Sequence, residues 1–60
     1  MDYETARAIL GTDVRSDGSL YCLGRYLRYT PGDDTACLDA DFTADELEAI
    51  AWWMRSKADV

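Results

Sequence analysis

The sequence contains no histidine, only two cysteines and a single proline, and its acidic side chains outnumber its basic ones twelve to six. Each shortage removes a class of function. Without histidine there is no imidazole to act as general base or zinc ligand. Cys22 and Cys37 stand fifteen residues apart with no Cys-x-x-Cys, so they do not make a zinc site either. The same lack leaves both thiols without their usual activating base. No run of about 18 apolar residues is present, so no membrane span is expected. Met1-Asp2-Tyr3-Glu4 lacks the positive n-region of a signal peptide, and a cytoplasmic location is expected. The net charge of -6 argues against direct contact with nucleic acid or anionic membrane and for a basic partner.

What is present fits one small domain spanning residues 1–60. A chain of this length buries only about 60% of the surface its unfolded form exposes, and its core supplies roughly 3 to 5 kcal/mol. A monomer or a weak homodimer is therefore expected.

Asp2 to Gly11 reads as a short helix, capped by Asp2, closed by Gly11, with Tyr3, Ala6 and Leu10 on one side and Ile9 alongside. Asp17-Gly18 is a hairpin signal for a type I' turn, which pairs Ser16 with Ser19, Arg15 with Leu20 and Val14 with Tyr21. Leu20 to Thr30 then reads as a central strand with a bulge at Gly24, and Tyr21, Leu23, Arg25, Leu27 and Tyr29 share a face. A four-residue turn at Pro31-Gly32-Asp33-Asp34 pairs Arg28 with Cys37 and Leu27 with Leu38. Val14, Ala36 and Leu38 land on the Tyr21–Tyr29 face. Because a one-residue slip would reverse either set, the agreement of the two turns predicts a three-stranded antiparallel meander. Along a continuous central strand Cys22 would lie roughly 20 Å from the level of Cys37, at about 3.3 Å per residue. No disulfide is expected, since bridged cysteines need Cα atoms within about 7 Å.

The last third is a longer helix. Thr43 and Glu46 form a capping box, Phe42 and Leu47 a hydrophobic staple, and Leu47, Ile50, Ala51, Met54 and Ala58 an apolar stripe. Trp53 lies at the edge of the stripe, while Trp52 falls on the side of Asp45 and Glu48. Arg55 and Lys57 complement the helix dipole at its end. The expected fold class is α+β in the order α-β-β-β-α, a three-stranded antiparallel meander packed with a short N-terminal and a longer C-terminal helix.

Between Tyr29 and Met54 stand seven acidic residues and no Lys or Arg. Turn formation and helix capping explain part of this, since carboxylates in a first turn offset the dipole by about 0.3 to 1 kcal/mol each. They do not explain why no basic residue pairs with the exposed helix face. Asp33, Asp34, Asp39, Asp41, Asp45, Glu48 and Trp52 are accordingly the candidate partner-binding residues, with Trp52 suited to contact with arginine. The alternation Asp39-x-Asp41-x-Thr43-x-Asp45 is reminiscent of a calcium loop but has Ala44 where that loop needs glycine and Ile50 where it needs glutamate. No catalytic constellation, cofactor motif or metal site is expected, and the chain does not read as an enzyme.

In size, acidity and the uninterrupted acidic run from Asp33 to Glu48, the chain resembles small phage-encoded anti-CRISPR proteins that occupy the DNA-binding surface of type I effector complexes as DNA mimics. The resemblance covers the character of the whole chain. It implies a basic nucleic-acid-binding protein, such as a CRISPR effector subunit, as partner, and the host bacterial cytoplasm as location. A duplex carries one charge per about 1.7 Å, so twelve carboxylates match only about 20 Å of it. Arg7, Arg15, Arg25, Arg28, Arg55 and Lys57 point to one negative face, not a negative shell. The alternative is a structural or regulatory interaction module, homodimeric through apolar surface, whose acidity serves solubility and helix capping.

Overall fold

The structure, a computed structural model, describes residues 1–58, and the side chains of residues 1–56. Its elements run α1 (Tyr3–Leu10), a 3-10 turn (Gly11–Asp13), β1 (Leu20–Cys22), β2 (Tyr26–Tyr29), β3 (Cys37–Asp39) and α2 (Ala44–Ala58). The three strands form one antiparallel sheet in the order β1-β2-β3. The α-β-β-β-α order is the expected one. Which residues form the strands is not.

The helix signals hold in detail. The Asp2 carboxylate accepts the Thr5 amide at 2.8 Å and opens α1. Gly11 closes it at φ +60°, where a side chain would be strained. At the start of α2, Thr43 Oγ1 accepts the Glu46 amide at 3.1 Å and the Glu46 carboxylate accepts the Thr43 amide at 3.0 Å. Two of the helix's otherwise unpaired amides are thereby satisfied.

The sheet differs. Leu23, Gly24 and Arg25 form a turn, so the expected central strand from Leu20 to Thr30 is a hairpin, with Leu20 opposite Tyr29 and Cys22 opposite Leu27. Gly24 reverses the chain where a bulge was expected. The reversal changes the parity of β1: Leu20 is buried and Cys22 packs on the core, while Tyr21 is exposed and Leu23 is 84% exposed. Residues 14–16 contribute only an isolated bridge from Val14 to Leu20, one position short of the expected Tyr21. The reason lies in the turn. Gly18 N–H donates to Arg15 C=O at 3.0 Å and Arg15 N–H to Ser19 C=O at 2.8 Å, which encloses three residues instead of two. Asp17 accepts the Ser19 amide at 2.9 Å, and only Gly18 takes a positive φ, +88°. This is the three-residue hairpin with a glycine bulge, not a type I' turn.

The second register agrees with the expectation: Leu27 faces Leu38 and Arg28 faces Cys37. Thr30 C=O accepts the Asp33 amide at 3.0 Å with Pro31 and Gly32 between them and Gly32 at φ +98°, the residues a type II turn requires. Cys22 and Cys37 are both free. They sit on the two strands flanking β2, about 10 Å apart at about 4.8 Å per strand spacing. They also face opposite sides of the sheet, Cys22 inward beside Leu27 and Cys37 outward beside Arg28.

The core is Ala6 and Leu10 from α1, Leu20, Leu27 and Tyr29 from the sheet, and Ala49, Ile50 and Trp53 from α2. Trp53 is the largest wholly buried side chain. Its Nε1–H donates to Gly18 C=O at 2.7 Å and its ring stacks on Tyr3 at 5.4 Å between centroids. One side chain thus joins α2, the first turn and α1. The buried face of α2 is centred on Ala49, Ile50 and Trp53, rotated from the expected stripe; Ala51 and Met54 are partly covered and Leu47 is 45% exposed. Ala58, the last position of that stripe, and the Lys57 side chain lie outside the described residues. Phe42 packs on the core but leaves Leu47 exposed, so the expected staple does not bury it.

Candidate functional site

The entrance of α2 is held from across the sheet by Arg25. The β1-β2 turn projects this side chain so that its guanidinium lies 4.7 Å from the centroid of the Phe42 ring. Nη1 meets the Glu46 carboxylate at 2.5 Å, Nη2 stands 3.8 Å from Asp13, and Nη1 donates to the Asp41 carbonyl at 3.5 Å. The Glu46 carboxyl is held below its ordinary pKa, first by the Thr43 amide and then by Arg25. Arg25 is raised in turn, chiefly by its bond to Glu46. The acidic run therefore does receive a basic partner, but from outside its own stretch of sequence. No helical spacing rule reaches Arg25, because a hairpin brings it there.

That pairing removes Glu46 and Asp13 from the exposed charge. Asp39, Asp41, Asp45 and Glu48 remain exposed, and among the described residues none of them belongs to an ion pair. Asp39 ends β3 opposite Tyr26, Asp41 follows within the short connection, and Asp45 and Glu48 occupy one side of the first turns of α2. These four form the acidic surface at this end of the molecule. Among the described residues no three acidic or thiol groups converge closely enough to hold a metal ion.

Asp33 and Asp34 stand on the other side of β3 in sequence. They border a shallow groove of about 350 Å³ with Ala51, Met54 and Arg55, in the later turns of α2. From Asp34 to Asp39 the chain covers roughly 17 Å at about 3.3 Å per residue. Along α2, Glu48 stands about 4.5 Å in rise from Ala51 and about 9 Å from Met54, at about 1.5 Å per residue. Arg55 also lines the Asp33-Asp34 groove, which makes that end mixed in charge.

Trp52 lies on the Asp45 and Glu48 side of α2, as its spacing implies, but it is partly buried. It packs against the core with its ring 6.3 Å from Trp53 at 60°. Its exposed edge alone is open to a partner. Spacing missed Leu38, 38% exposed on the edge strand. On the outer sheet face Tyr26, Arg28, Asp33, Thr35, Ala36 and Cys37 border a groove of about 380 Å³. The exposure of Leu38 follows from its place at the sheet's border, which depends on strand order. No helix among the described residues is long and apolar enough to cross a membrane.

No family model matches the chain, and no curated protein or solved structure matches it in sequence or fold.

Proposed function

We propose that this protein is an inhibitory binding protein that presents the acidic entrance of α2 to a basic nucleic-acid-binding site on a partner. One observation carries the reading. Arg25 is spent on Glu46 and Asp13, while Asp39, Asp41, Asp45 and Glu48 stay exposed without ion pairs among the described residues. In keeping with the resemblance to anti-CRISPR DNA mimics, the partner would be a subunit of a type I effector complex in the host bacterial cytoplasm, and the mechanism competition with DNA. Complementary charge speeds encounter and sets specificity. The exposed edge of Trp52 adds contact at the rim. The chain would act without catalysis, cofactor or direct contact with nucleic acid.

The test is displacement of a duplex from a purified type I effector complex, read by gel mobility at low and high salt. The wild-type chain should displace duplex at low salt and lose potency as salt rises. The triple variant Asp41→Asn, Asp45→Asn, Glu48→Gln should lose displacement with an unchanged circular dichroism spectrum. Equal displacement by the triple variant would rule out the helix entrance as the contact.

A second reading, a homodimeric interaction module, is favoured by the exposed leucines, Leu23, Leu38 and Leu47. Sedimentation at several concentrations separates the two, because a concentration-dependent dimer with no effect on duplex binding supports the module.

A further inference from the structure

β3 borders the sheet, and among the described residues no strand pairs with its outer edge. Which backbone groups face that edge follows from alternation. Ser19 C=O accepts the Arg15 amide at 2.8 Å and Tyr21 C=O accepts the Arg15 guanidinium at 3.4 Å, so both carbonyls point away from β2. In an antiparallel ladder, consecutive residues direct their backbone groups to opposite sides. Leu20 and Cys22 therefore point toward β2, at Tyr29 and Leu27. Tyr26 and Arg28 point the other way, at Asp39 and Cys37 of β3. Leu38 is left with its N–H and C=O directed outward from the sheet.

We propose that this edge receives an extended, basic segment of the partner protein as a fourth strand. The proposal rests on the reading of a basic partner given above and names how that partner is held. Backbone pairing at Leu38 would supply affinity, and alternate side chains of the added strand would fall on the two faces of the sheet. The turn leading into β3 has a groove on each face. One lies against Ala51 and Met54 of α2, the other against Tyr26 and Arg28, and Asp33 lines both.

Charge selects the occupant. Asp33 and Asp34 precede β3, and Asp39 and Asp41 end and follow it. A second copy pairing edge to edge would set carboxylates against carboxylates in either orientation, between two chains of net charge -6. A segment with basic residues at its ends meets Asp39 and Asp41 at one end of the strand, and at the other Asp33 and Asp34, which Arg28 and Arg55 offset in part. Lone carboxylates on an edge also repel stray strands, and the experiment separates that protective role from recruitment.

The probe is a fluorescein-labelled heptapeptide of alternating Arg and Val, compared with the same peptide N-methylated at alternate amides, which keeps its charge but loses its pairing. Both are titrated into the full chain by fluorescence anisotropy. The unmodified peptide should bind at least tenfold tighter, and amide hydrogen exchange at Leu38 should slow at least tenfold on binding. Leu38→Pro should remove the difference between the peptides, because proline is tolerated at an edge position whose N–H makes no ladder bond. Leu38→Ala should keep the difference. Equal binding of the two peptides, no binding of either, or unchanged exchange at Leu38 would overturn the proposal; the peptide and exchange results decide even where Leu38→Pro fails to fold. The duplex-displacement test of Asp41, Asp45 and Glu48 stands independently, since it reads charge and not backbone pairing.

Discussion

Replacing Trp53 by phenylalanine tests the packing on which the fold depends. Two losses follow from the structure. The indole N–H no longer reaches Gly18 C=O, 2.7 Å away, and a net hydrogen bond contributes about 1 kcal/mol. Gly18 is partly exposed, not buried, so the net bond energy applies and not the larger penalty of a fully buried, stranded acceptor. The smaller ring also gives up buried surface equivalent to one or two methylenes, at about 0.8 kcal/mol each. The expected cost is about 2 kcal/mol, which lowers Tm by about 8 to 16 °C in a domain of this size. At about 0.05 to 0.15 kcal/mol per residue the whole fold is worth roughly 3 to 9 kcal/mol. Trp53→Phe should therefore remain folded, whereas Trp53→Ala, at about 3 to 5 kcal/mol, should be largely unfolded. Urea titration followed by circular dichroism and by the remaining Trp52 fluorescence gives the number. A double-mutant cycle with Tyr3→Leu isolates the stacked pair, worth about 0.5 kcal/mol because Tyr3 is 45% exposed. A cost below about 0.5 kcal/mol for Trp53→Phe would refute the assignment of Trp53 as the central anchor.

Tyr29 is wholly buried and its hydroxyl has no hydrogen-bond partner among the described residues. Tyr29→Phe should raise stability by about 1 kcal/mol with an unchanged urea m-value; a loss of that size would show that the hydroxyl is bonded. Arg25→Met should raise the Glu46 pKa, followed by carbon NMR of the carboxyl. It should not restore the ordinary value, because the Thr43 amide is the larger cause of the depression. A folded carboxyl with a depressed pKa contributes stability that is fully present above the unfolded value, near 4.5 for Glu46. That contribution is lost as pH falls through the lower folded value. Asp2 and Asp17, depressed by bonds from Thr5 and Ser19, add to the loss below 3.8. The urea midpoint should thus decline below pH 4.5, and less steeply in Glu46→Gln.

The signals legible in the sequence were those whose partners lie within a few residues. Thr43 and Glu46 cap each other across one helical turn, Asp2 caps Thr5, and Pro31-Gly32 sets the register of β2 on β3. What failed depended on the chain meeting itself at longer range. Gly24 reads equally as bulge or turn, and the choice flips the parity of every residue before it, which is why Leu20 and not Tyr21 is buried. The stripe on α2 was placed by counting apolar residues, but the space to be filled lay between α1 and the sheet, where Ala49 and Trp53 fit. Of the candidate residues, Asp39, Asp41, Asp45 and Glu48 come together because the β3-α2 connection is short. Asp33 and Asp34 precede β3 and border Ala51 and Met54 of α2. Arg25 carried no local sign of its role.

The bond from Trp53 to Gly18 spans 35 positions in sequence. Strands of three or four residues cannot hold a sheet in water without a covering layer. A chain that has emerged only as far as residue 43 would display Leu20, Leu27 and Tyr29 to solvent and any passing chaperone. The order of synthesis therefore places the decisive step late: the meander waits, exposed, until α2 arrives to close over it.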